Sequence, residues 1–209
     1  MEIIKVRKGE KEMEVALGIK GLVSEGKEVR EALERLEPEL ILMGISPEEA
    51  EGLQAFVNDP FEIEMSDFEL IYGTLLLKFG EVEMPPPIFT QTVLYARDHN
   101  VPIVGIDVDE ETFGQHYDQE YSVSQMVGYI TKKRKLKKKN FNLETPQDFV
   151  MHWKYEIEKT RAMNNMERLR EEAIVSNLES EFLKGDQKRI FAIIEYEFNE
   201  AVREKINSI

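Results

Sequence analysis

The chain has 209 residues, no Cys, and 41 acidic against 27 basic side chains, for a formal net charge of -14. Such a length buries a full core without staples. The missing Cys excludes disulfides, thiol nucleophiles and Cys-based zinc sites, and suits a reducing cytoplasm. The acidic balance disfavours general attraction to nucleic acid or anionic lipid, and no apolar run approaches the 18 to 20 residues of a membrane span, so a soluble cytoplasmic protein is expected.

In chain order, Ile4 and Val6, then Met13, Val15 and Leu17 beyond the polar stretch Arg7 to Glu12, alternate with period two and predict an N-terminal hairpin. Val29, Ala32, Leu33 and Leu36 follow helical spacing, with Ser24 placed to cap and Pro38 to stop. Leu40-Ile41-Leu42-Met43 and Ile103-Val104-Gly105-Ile106 are short continuous apolar runs, as parallel strands covered on both faces require.

Between those runs, Ser46-Pro47-Glu48-Glu49 combines an N-cap Ser, Pro at the first helical position and Glu at the third. Ser66-Asp67-Phe68-Glu69 repeats the signal ahead of Phe68, Ile71, Tyr72, Leu75 and Leu76. Pro85-Pro86-Pro87 marks a rigid connection into a helix ending near Asn100. Beyond Tyr117 the strand signals cease. Val123, Met126, Val127 and Ile130 predict one helix, Thr145-Pro146-Gln147-Asp148 caps a second that runs toward Leu183 with a break near Asn164-Asn165, and Ile190, Ile194, Phe198, Ala201 and Val202 predict a last amphipathic helix.

The pattern predicts an α/β fold: a small, mostly parallel sheet with an N-terminal hairpin, flanked by helices and followed by a helical C-terminal half. An α/β domain over 1–118 and a helical region over 119–209, packed on it or forming an oligomer interface, describe the expected division. Trp153, Ile157, Met163, Met166 and Leu169 form the apolar stripe that serves either a core or a homo-oligomer contact. High Lys plus Glu usage without Cys resembles a thermophile composition.

Ligands of open parallel sheets gather at the carboxyl ends of the strands. That rule selects a crevice from Gly18, Lys20, Ser24, Ser46, Asp107, Asp109, Glu110 and His116. The carboxylates and His116 suit a hard divalent cation or acid/base work; an acidic first helical turn explains the same residues without either, and no metal is assigned. His99, His116 and His152 lack the i, i+4 spacing of a helical zinc pair. Gly18-Ile19-Lys20-Gly21 lacks the glycine spacing of phosphate-binding loops and reads as a turn. No cofactor is expected.

Lys132-Lys133-Arg134-Lys135-Leu136-Lys137-Lys138-Lys139 places seven bases in eight residues. The run serves either as a solvated, dipole-complementing helix end or as a weak, salt-sensitive contact to nucleic acid, without the interleaved aromatics that base stacking needs.

The order apolar strand, Gly18-x-x-x, Val23-Ser24-Glu25, a short helix ending at Glu37-Pro38-Glu39, a hydrophobic strand and Pro47-Glu48-Glu49-Ala50-Glu51-Gly52-Leu53 resembles the start of the TraB and PrgY pheromone-shutdown family, relatives of the Tiki proteins. Val104-Gly105-Ile106-Asp107-Val108-Asp109 looks like that family's later strand ending in Asp-Arg-Asp. The family pattern places Gly-x-x-His after the first long strand and an acid after the next. Here Gly21 stands in the histidine's place, Gly44 in the acid's, and Val108 in the arginine's. The resemblance thus implies the scaffold, with Gly18, Asp107 and Asp109 carried over, and a diverged binding or interaction module. The alternatives are a metal-dependent hydrolase using Asp107, Asp109, Glu110 and His116, and a helical oligomer that presents its basic arm to nucleic acid.

Overall fold

The computed structural model describes residues 1–120 and 131–209. Strands β1 (Glu2–Lys8) and β2 (Lys11–Gly18) form the expected antiparallel hairpin, pairing Ile4 with Val15 and Val6 with Met13. Helix α1 (Val23–Leu36) follows, then β3 (Leu40–Met43), α2 (Pro47–Asn58), α3 (Asp67–Leu76), α4 (Pro87–His99), β4 (Ile103–Gly105) and α5 (Glu110–Glu120). Helices α6 (Pro146–Glu158) and α7 (Arg161–Leu183) lead into β5 (Arg189–Glu195), a 3-10 turn at Tyr196–Phe198, and α8 (Asn199–Ile206). The sheet order is β1-β2-β5-β3-β4, with every pair after the first hairpin parallel.

The local signals for α2 and α3 are realised in full. Ser46 and Ser66 each accept from the amide of the third helical residue, and Glu49 and Glu69 each accept from the cap's own amide. Asn100, in the left-handed region, closes α4. The helix expected through Val123, Met126, Val127 and Ile130 lies outside the described residues.

Three local expectations are corrected. Ser24 does not cap α1: the N-cap is Leu22, without a side-chain bond, and Ser24 is exposed in the first turn. The break between the long C-terminal helices falls at Lys159 and Thr160, not at Asn164-Asn165, which sit inside the first turns of α7. The expected helix from Ile190 is instead a strand up to Glu195, and only α8 remains helical. Ile190, Ile194 and Phe198 do recur at helical spacing, but Ile190-Phe191-Ala192-Ile193-Ile194 is also the continuous apolar run of a strand covered on both faces. Tertiary context decides for the strand, because β5 fills the centre of the sheet between β2 and β3. Residues on both sides of position 118 therefore build one sheet.

Each face of the sheet carries its own core. Ala16, Ile41, Met43, Phe191 and Ile193 pack under α1 and α4. Met13, Val15, Leu17, Leu42, Ile190, Ala192 and Ile194 pack under α7 and α8. A third cluster sits beyond the strand ends, where Tyr72 and Leu76 of α3 meet Phe149 and Trp153 of α6. No described helix is long and apolar enough to cross a membrane.

The glycines at the strand ends answer to packing. A Cβ on Gly44 would lie 3.2 Å from the Ile194 Cα, so a side chain here would need β5 to give by a few tenths of an ångström while the Gly44 amide donates to the Ile193 carbonyl at 2.8 Å. Gly21 has φ of +98°, a conformation that L side chains rarely adopt. Gly105 is tighter still: its Cβ would stand 2.6 Å from the Ser46 carbonyl oxygen and 2.7 Å from the Pro47 nitrogen. Gly105→Ala therefore pushes β4 off the start of α2, costing about 1–3 kcal/mol and lowering the unfolding midpoint by roughly 5 °C. A calorimetric scan of the variant that overlays the parent would refute that contact.

Candidate functional site

Strand ends, loops and helices α2, α3 and α7 enclose a cleft of about 1290 Å³. It lies at the carboxyl ends of the parallel strands, where chain direction makes loops and helix starts converge. Its floor is ionic. Lys20 follows β2, Glu195 ends β5, Asp107 follows β4, and Glu167 and Arg170 approach from α7. Sheet pairing places the first three: Gly18 is in register with Glu195, and the β3 to β4 ladder extends through the Asp107 amide to the Ile45 carbonyl at 3.1 Å.

The ion pairs form a connected network. Lys20 Nζ donates to Glu197 at 2.9 Å and to Glu195 at 3.2 Å. Arg170 Nε donates to Asp107 at 2.7 Å, while its terminal nitrogens lie 3.7 Å from Glu167 and 4.0 Å from Glu195. Behind the floor, Lys154 Nζ donates to the Glu197 carbonyl and to Glu171. The Lys20 ammonium also stands 5.8 Å from the centre of the Tyr72 ring.

Burial sets the protonation states. It pushes Glu195 up to about 8 despite Lys20, with the Glu197 charge adding to the rise. Burial would lift Glu197 as well, but Lys20 and the hydrogen bond from Glu195 hold it down at about 2. Two adjacent carboxyls thus share a proton near neutrality. Burial raises Asp107 and Glu167 against the pull of Arg170. Burial would lower Lys20, but Glu195 and Glu197 outweigh it and raise the ammonium well above its ordinary value.

Above this floor the walls are apolar. Phe61, Ile63, Met65, Leu70, Leu77 and Met84 line the cleft and are among the nine exposed large hydrophobics of the described residues, Leu77 being 59% exposed. Two-thirds of those side chains thus gather around one opening instead of scattering singly over the surface. Trp153, the sole tryptophan, also lines the cleft.

Of the residues selected from sequence, Lys20, Ser46, Asp107 and Glu110 line the cleft. Gly18, Ser24, Asp109 and His116 do not. Gly18 is buried at the end of β2 beneath Ile88, and Asp109 accepts from the Thr112 amide and hydroxyl as the opening of α5. His116 is exposed, its Nδ1 2.9 Å from the Thr112 carbonyl. Of the four candidate ligands, Asp107 and Glu110 therefore share the cleft, and Asp109 and His116 do not line it. Among the described residues, no group of three or more His, Cys, Asp or Glu is arranged to hold a metal ion. Neither His99, stacked on Tyr95, nor His152, accepting from the Asn142 amide, lines the cleft.

The basic run lies against the fold. Lys132 donates to the Glu156 carbonyl, Lys133 pairs with Asp67, and Lys139 Nζ lies 2.8 Å from the Glu156 carboxylate. Leu136 is buried between them, and Arg134, Lys135, Lys137 and Lys138 are exposed. Of the apolar stripe, Trp153 and Met166 are buried, and Ile157 packs against the third core cluster.

Sequence reasoning missed Glu167, Arg170, Glu195 and Glu197. A usable signal existed: had Ile190 to Ile194 been read as a strand, the strand-end rule would have selected Glu195 and Glu197 directly.

No protein-family model and no curated protein matches this chain. Among solved structures, one similarity is to (E)-4-hydroxy-3-methyl-but-2-enyl diphosphate reductase, the terminal enzyme of the non-mevalonate pathway. It is 12% identical, covers 93% of this chain and 98% of that chain, and has a TM-score of 0.15, which carries no argument.

Proposed function

We propose that this is a non-catalytic, cytoplasmic binding module on a TraB-like scaffold, whose strand-end cleft holds a small amphipathic organic molecule. One observation carries the reading: six exposed apolar side chains form the lip of a cleft whose floor is a closed network of ion pairs. An apolar body gains from covering the lip, and its polar end meets the ionic floor, where Lys20 is held by Glu195 and Glu197 and is not free to attack it. The separation of Asp109 and His116 from Asp107 weighs against the metal-dependent hydrolase, which needs them together. The glycines in the family's histidine and acid positions supply no ligand, Gly21 standing at a positive φ and Gly44 close against Ile194.

Trp153 reports occupancy. Titrating the neutral dye N-phenyl-1-naphthylamine should give saturable energy transfer from Trp153, and the double variant Phe61→Ser, Leu77→Ser should weaken binding by about tenfold, or about 1.4 kcal/mol. Dye emission that rises without saturating, or that ignores the double variant, would overturn the proposal.

A further inference from the structure

The charge of the cleft selects the head group. Among the described residues seven acidic side chains line it, Glu49, Glu69, Glu83, Asp107, Glu110, Glu167 and Glu195, against Lys20 and Arg170. Both cations are already engaged by carboxylates. Glu83 and Glu110 line the cleft, are exposed and form no ion pair among the described residues. The rings of Phe56, Phe68, Tyr72, Phe113 and Trp153 add π faces, which attract a cation and not an anion. An anionic head would find no uncommitted positive charge and several like charges, a mismatch that costs affinity.

We infer that the occupant of this cleft is an apolar organic cation, its ammonium or equivalent head drawn to the unpaired carboxylates Glu83 and Glu110 and its body against the lip from Phe61 to Met84. The inference rests on the binding reading above and names the ligand class it left open.

Three probes with ten-carbon chains test this on the full chain, the two ionic ones below their micelle concentrations and the alcohol below its solubility, with Trp153 fluorescence and calorimetry as readouts: decyltrimethylammonium, decanoate and 1-decanol. The ammonium should bind at least about tenfold more tightly than decanol, and decanoate more weakly than either. The double variant Glu83→Gln, Glu110→Gln should weaken the ammonium by about two- to threefold and leave decanol unmoved. If decanol and decanoate bind but the ammonium has no advantage, the cation assignment falls while the cleft stands. If none of the three binds saturably, the binding reading itself falls. An ammonium affinity unchanged by the double variant would remove the head group from Glu83 and Glu110 and overturn its placement.

Discussion

Replacing Arg170 by methionine should lower the free energy of unfolding by about 3–5 kcal/mol, the cost of stripping one partner from a buried ion network. Asp107, Glu167 and Glu195 all lean on this one guanidinium, through contacts of 2.7, 3.7 and 4.0 Å. The side chain is only 19% exposed, so water screens little of the loss. Methionine preserves much of the stem that packs near Phe198, over whose ring the guanidinium carbon stands at 5.1 Å, so the charge is the main thing removed. Asp107 should respond most, because Arg170 opposes the burial that already raises its carboxyl. Urea unfolding of the variant reads the effect, and a loss below about 1 kcal/mol would show the network to be ornamental.

Stability should fall as pH rises from about 5 to 8, and Glu195→Gln should remove most of that fall. A carboxyl raised in the folded state contributes fully below its unfolded value near 4.5 and loses that contribution as pH climbs through its folded value, here about 8. In this window the folded chain binds the extra proton, so deprotonation favours unfolding. Glu197 acts oppositely: held at about 2, it contributes above 4.5 and loses that as pH drops toward 2. The pair by itself therefore peaks near pH 4.5. Glutamine keeps a donor for Glu197 but cannot ionise, so above pH 8 the variant should exceed the parent by roughly 2–4 kcal/mol. Denaturation series at pH 5, 6.5 and 8.5 measure the slope directly. Parallel pH profiles for parent and variant would exclude a shared proton at this site.

Much of the architecture was readable where the cause was local. The hairpin follows from alternation at Ile4, Val6, Met13, Val15 and Leu17, and the starts of α2 and α3 follow from Ser46 and Ser66 with their glutamates. Part of the cleft was readable too, since Lys20, Ser46, Asp107 and Glu110 sit where strand direction places them. Ser24 misled because a serine ahead of an apolar run signals a cap only if the helix starts one residue later, and here Leu22 takes that position.

By itself, the sequence determined those elements whose signals lie within a few residues: caps, turns, alternation, the early continuous strands and the acidic charge. Only the tertiary structure decided that Ile190 to Ile194 is the central strand, and with it that Glu195, Glu197, Arg170 and Lys20 meet. The physical reason is that five consecutive apolar residues satisfy a buried helix and a buried strand equally well until neighbours on both sides offer hydrogen bonds. Those neighbours, β2 and β3, are well over a hundred residues away in the chain.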